Sequence, residues 1–168
     1  GYIDSEGKLT EKGVFSSKVY ADEITLGEIF ATPFVEQLDE EQILLVIAAL
    51  VYEEREKFKV KPSWGEGKGK LVQLKGLLQR HPYLVLEKKF NVLPAMTIFI
   101  QPILEGKTFF DVLKDTEMVE GDLIRIYAQI LDRIGQIKKA TTSYSLRNKM
   151  DNCKGIMERA LEGIYLVG

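Results

Sequence analysis

The 168-residue chain holds one cysteine, one histidine and no apolar run longer than ten residues. The lone thiol, Cys153, excludes an internal disulfide framework and leaves no CxxC pair for zinc, so a reducing compartment is expected. The longest apolar run, ILLVIAALVY at residues 43–52, falls short of the about 20 residues that a bilayer-spanning helix needs. The N-terminus shows no basic-then-apolar signal pattern, and a cytoplasmic protein with no membrane partner is expected. No nucleophile, acid–base pair or metal cluster stands out, which makes the chain non-catalytic in its own right and leaves it no metal.

What is present is an ordinary core and an uneven charge. At 45% hydrophobic residues, the chain can bury one core of usual size. The net charge of −2 hides an asymmetry: residues 1–56 carry 4 basic and 13 acidic side chains, whereas residues 57–168 carry 19 basic and 12 acidic. Such a split permits a basic face that the average conceals, and it is equally compatible with solvated helix faces.

The opening GYIDSEGKLTEKG differs from the rest. Tyr2-Ile3-Asp4 and Lys8-Leu9-Thr10 flank Ser5-Glu6-Gly7, a three-residue loop ending in glycine, and this predicts a short β-hairpin. Two strands alone are unstable, so the hairpin reads as the edge of a structure whose other part lies outside the chain.

Beyond it the pattern is helical almost throughout. Asp39 and Gln42 in LDEEQ form a capping pair, as do Thr108 and Asp111 in GKTFFDVLKD, and Gly106 ends the helix before the second pair. The helix after Asp39 is apolar over most of its surface and belongs at the centre. Pro94 suits a first helical turn, whereas Pro102 predicts a kink or break near Ile98 to Pro102. Leu146, Met150, Cys153, Met157, Ala160 and Ile164 form one core-facing stripe.

Three stretches resemble sites without meeting their chemistry. WGEGKGK, residues 64–70, lacks the GxxxxGK spacing and the Ser or Thr that would hold magnesium, and reads as a connector. His81, in QRHPY, has no second histidine at ligand spacing and reads as a helix C-terminal cap. Cys153 lies on an apolar stripe, where a thiol acts as a small hydrophobe.

EGDLIRIYAQILDRIGQIKK, residues 120–139, carries two lines. Leu123, Tyr127, Ile130, Ile134 and Ile137 step by four and three, as a core-facing stripe does. Arg125, Gln129, Asp132, Gln136 and Lys139 repeat the stepping on another line. Ile124, Ile126 and Leu131 widen the apolar arc until little solvent face remains, so a mostly embedded helix with one polar line is expected. Such a line suits a channel wall, where Arg and Gln can hold phosphates or base edges of a passing strand.

Several blocks, in order, carry a family resemblance: GYID with LTEKG, ADEITLGEIF, FVEQLDEEQILLVIAALVYEE, ILEGKTFFDVL, VEGDLIRIYAQILDRIGQI and a closing IYLV. Together they resemble the DSH C-terminal domain of DExH-box RNA helicases of the Ski-type and exosome-associated kind. The resemblance implies a mainly α fold: residues 1–20 as the tail of a winged-helix domain, hairpin included, and residues 21–168 as a helical bundle. It also implies two ATPase domains of the same chain lying upstream, so that ATP and magnesium are cofactors of those domains and not of this one. The helix at EGD is similar to the family's ratchet helix, which touches single-stranded RNA. Carried over by position, Arg125 matches the arginine of the EGxLIR block, Gln129 sits where the family often has the second of two basic residues, and Asp132 matches an acidic position one turn on. Ala128 and Gln129 replace that basic pair, which implies weaker phosphate contact. The nucleic-acid-binding residues expected are therefore Arg125, Gln129, Asp132 and Gln136, with RNA favoured over DNA. The alternative expectation is a helical protein-interaction module without nucleic-acid contact. Residues 57–92 match poorly and receive no role.

Overall fold

The computed structural model describes residues 1–19, 21–53 and 69–164, and among these the chain is mainly helical, with eight α-helices and no β-sheet. Helices α1 (Glu11–Ser17) and α2 (Glu23–Phe30) lead into α3 (Glu40–Val51). Helix α3 packs against α4 (Gly69–Gln79), α5 (Leu93–Leu104), α7 (Glu120–Ala140) and α8 (Tyr144–Ala160), while α6 (Phe109–Asp115) lies on α5. Every residue of α3 from Gln42 to Val51 is buried, because its apolar side chains surround the helix instead of lining one side. Among the described residues no helix is long and apolar enough to cross a membrane.

The caps form as their residue types require. Asp39 accepts from the Gln42 amide at 2.9 Å while the Gln42 side chain accepts from the Asp39 amide at 3.0 Å, and Thr108 with Asp111 repeats the box. Gly106, at φ +91°, closes α5: its amide donates to the Ile103 carbonyl at 3.2 Å, and the Lys107 amide donates to the Pro102 carbonyl at 3.0 Å. That pair of bonds needs a left-handed residue, which glycine supplies without strain. Of the kink or break expected near Ile98 to Pro102, no break occurs: helix α5 runs continuously from Leu93 to Leu104, with Pro102 inside it forgoing the one ladder bond that its missing N–H would have donated to the Ile98 carbonyl.

The expected N-terminal β-hairpin is also corrected. Ile3 and Leu9 make one isolated antiparallel bridge around Gly7, and no strand extends from it. Two short arms without a neighbouring sheet supply too few cross-strand bonds to form one. Side chains hold the turn instead. The Tyr2 hydroxyl lies 3.0 Å from both the Ile24 carbonyl and a Glu28 carboxylate oxygen, and the Lys12 ammonium is 2.7 Å from the same oxygen. Burial alone would raise the Glu28 carboxyl, but hydrogen bonds from Lys12 and Tyr2 outweigh it and hold the group below its usual range. Even so, the turn rests on few bonds. The amides of Asp4, Gly7 and Thr10 are expected to exchange with solvent faster than those of Ile43 to Val51, as read by hydrogen exchange; equal protection would show the turn to be as stable as the central helix.

Of the Trp64–Lys70 stretch, residues 64–68 lie outside the described residues, while Gly69 and Lys70 open α4. Lys70 pairs with Asp39 at 2.6 Å and Glu41 at 3.6 Å. His81 follows α4 and its amide donates to the Leu78 carbonyl, but its ring caps what comes next: Nδ1 accepts from the amides of Tyr83 and Leu84, both at 3.1 Å. Cys153 is buried in the α8 stripe with Leu146, Met150, Met157 and Ala160. Burial beside Glu40 and Asp39 pushes its thiol up to about 12, which leaves it protonated and inert.

Candidate functional site

Helix α7 is positioned by its apolar line. Leu123, Tyr127, Ile130, Ile134 and Ile137 are fully buried, Ile126 is buried beside them, and Ile124 and Leu131 pack against the core from its edges. The Tyr127 hydroxyl donates to the Phe99 carbonyl of α5 at 2.6 Å. At the helix ends, Glu120 and Asp122 sit at the positive pole of the helix dipole and Lys138 and Lys139 at the negative pole. With the apolar arc so wide, only a narrow polar face is left.

That face borders an open groove of about 530 Å³. Gln129, Asp132 and Gln136 line it from α7, and Leu50, Val51, Tyr52 and Glu53 line it from the end of α3 and the residues after it. Three of the four residues expected from sequence therefore share one concavity. The fourth, Arg125, stands one turn toward the helix N-terminus and outside the lining. Its guanidinium is 3.3 Å from Asp122 and 4.0 Å from Glu53, and the latter carboxylate does line the groove. The Gln136 amide donates to Asp132 at 2.7 Å, so these two residues are already engaged with each other. Lys139 is exposed and does not line the groove.

The cations of the groove come from residues outside the expected set. Arg133 and Lys89 line it together with Asp22, whose carboxylate receives both: Lys89 Nζ at 2.6 Å and Arg133 Nη1 at 2.9 Å. Arg133 was legible, since it stands four residues after Gln129 and three before Gln136 and so shares their face. Lys89 and Asp22 carried no such signal, because separate parts of the chain bring them there. Asp22 is unusual in backbone as well. It occupies the N-cap of α2 at φ +54° and makes no side-chain cap bond. Aspartate is among the few residues that enter this region with modest strain.

With Asp22, Glu53 and Asp132 set against Lys89 and Arg133, the lining carries three carboxylates and two cations. Its net charge is therefore −1, and amides supply much of its donor capacity. No curated protein matches the chain. The sequence model of the DSHCT (NUC185) domain matches residues 6–161, nearly the whole chain. By that match, the chain belongs to the DSHCT (NUC185) domain family.

Proposed function

We propose that the chain is the helical C-terminal domain of an ATP-dependent DExH-box RNA helicase, and that the polar face of α7 lines the channel through which single-stranded RNA passes. The observation that carries this reading is the meeting of Gln129, Asp132 and Gln136 with Lys89 and Arg133 in one open groove, with Arg125 at its edge. Amides and cations along such a wall can hold base edges and phosphates of successive nucleotides. The role is passive: the wall holds the strand while ATPase domains elsewhere in the protein supply the work. ATP and magnesium belong to those domains, since WGEGKGK offers neither the spacing nor the hydroxyl of a P-loop. The division at residue 20, with the tail of a winged-helix domain before it, and the preference for RNA over DNA rest on the family resemblance.

Arg125→Ala is expected to weaken single-strand binding by about 1–2 kcal/mol and to flatten its salt dependence by about 0.7 to 1 unit of slope, with the fold intact. Gln129→Ala should do less, because a neutral amide releases no counterion. Fluorescence anisotropy of a labelled oligouridylate, titrated at several salt concentrations, reads both. Lys154→Ala, on an exposed face of α8 away from the groove, is the control for loss of a charge. Unchanged affinity in Arg125→Ala with a lower melting temperature would make Arg125 a scaffold residue and remove it from the interface.

A second reading, a helical protein-interaction module, is favoured by the exposed apolar side chains of Tyr83, Val85 and Leu86, at 61%, 50% and 75% exposure. A module of that kind has no salt-dependent affinity for the oligouridylate, so the same titration separates the two.

A further inference from the structure

We infer that the Asp22 carboxylate is a resident counter-anion of the groove, one that shares Lys89 and Arg133 with the phosphodiester of a bound strand and thereby weakens the grip. The inference rests on the reading of the groove as a single-strand site.

Two cations distant in sequence converge on one carboxylate, each on its own oxygen: Lys89 on Oδ1 at 2.6 Å, Arg133 on Oδ2 at 2.9 Å. All three line the groove. The side chains of Asp22 and Arg133 are only 10% and 14% exposed, while that of Lys89 is 48% exposed and reaches the open space. An ammonium has three donors and a guanidinium five, so one bond each to Asp22 leaves both able to meet a second anion. Helix capping does not account for Asp22. Aspartate is a preferred N-cap, yet here it forgoes the cap bond and accepts a left-handed backbone. Both choices cost folding stability, and what the residue gains is its two ion pairs.

Charge counting gives the consequence. Lys89 and Arg133 alone carry +2; with Asp22 their cluster carries +1, and Glu53 and Asp132 elsewhere in the lining bring the groove as a whole to −1, so each carboxylate removed shifts it by one charge toward a phosphate. A wall along which a strand must advance needs contacts that release, and a carboxylate already seated on the cations lowers the cost of letting a phosphate go. The same carboxylate keeps two like charges close together without repulsion when no strand is bound.

The test is a charge series in the 168-residue chain, read by anisotropy of a labelled oligouridylate across salt concentrations. Asp22→Asn keeps the shape and a residue type that tolerates positive φ. It is expected to bind roughly three- to tenfold tighter at about 0.1 M salt and to steepen the salt slope by about 0.7, the value for one additional single-strand counterion. Lys89→Gln should weaken binding and flatten the slope by about the same amount. The double variant should return to the wild-type slope, because the group again presents +1. If Asp22→Asn is too unstable to measure, Asp22→Gly carries the same charge change and takes positive φ freely.

Weaker binding by Asp22→Asn would overturn the inference and make Asp22 a residue that positions the two cations. Unchanged slopes in both single variants, with Arg125→Ala still weakening binding, would also overturn it while leaving the single-strand reading in place. Salt-insensitive binding by the wild-type chain, unmoved by any of these variants, would remove the single-strand reading itself.

Discussion

Tyr127→Ala is expected to lower the unfolding free energy by about 3–5 kcal/mol, read as a shift of the urea midpoint by circular dichroism. Tyr127 is fully buried and is the largest side chain on the apolar line of α7. Its ring stands edge-on to Phe109 of α6, with centroids 6.3 Å apart, and its hydroxyl reaches the Phe99 carbonyl of α5. One residue thus joins three helices, and truncation removes the ring contacts and leaves a cavity that the surrounding helices fill only in part. Tyr127→Phe divides the effect: it keeps the packing and drops the hydrogen bond, and should cost about 1 kcal/mol. Tyr144→Ala, at a side chain 77% exposed, should stay within about 0.5 kcal/mol of wild type. A small loss in Tyr127→Ala would mean that α7 is held chiefly by its neighbours along the line. The affinity of the folded fraction for a strand should not change, since Tyr127 faces away from the groove.

Gly13→Ala is expected to destabilise by about 1–3 kcal/mol, although the same exchange inside a helix usually stabilises by about 0.5–1 kcal/mol. The reversal has a local cause. A Cβ at position 13 would lie 2.0 Å from the Tyr2 carbonyl oxygen and 3.2 Å from the Leu9 side chain. The first of these is backbone, held by the Thr10 amide at 3.0 Å, and cannot turn aside as a side chain would. The N-terminal turn must lift from α1, which withdraws the Tyr2 hydroxyl from Ile24 and Glu28. Amide exchange at Asp4, Gly7 and Thr10 should therefore accelerate in the variant while α3 stays protected. Gly155→Ala is the matched control, because a Cβ in that exposed part of α8 meets nothing within 4 Å, and there the usual gain should return. A stabilised Gly13→Ala would show that the turn is not seated on α1.

The two variants also mark how far the chain was legible. Tyr127 was identifiable as core from its place at steps of four and three, since helical periodicity is local and survives without neighbours. The contact that gives Gly13 its role was not, because it depends on where the N-terminal turn comes to rest. The same division explains the hairpin. Glycine at the end of a short loop correctly marked a turn at Gly7, but strands need partners, and side chains from α1 and α2 hold the turn in place of an extended ladder. His81 was placed correctly at the end of α4, yet its ring caps the turn that follows, a choice made by the backbone after Pro82.

By itself the sequence determined the helical class, the capping boxes at Asp39 and Thr108, the glycine stop at Gly106, the central position of α3, and the two faces of α7. Each depends on residues within a few positions of one another, where backbone hydrogen bonds and helical repeat set the geometry. Tertiary structure alone decided which residues from other parts of the chain join the polar face of α7 in the groove. Asp22, Lys89 and Arg133 come from three separate stretches of the chain, and no local rule relates them. They meet because burial of the apolar lines of α3 and α7 brings the start of α2 and the segment before α5 to the same wall. An ion pair between distant residues is a consequence of packing, so it becomes legible only after the core that enforces it has formed.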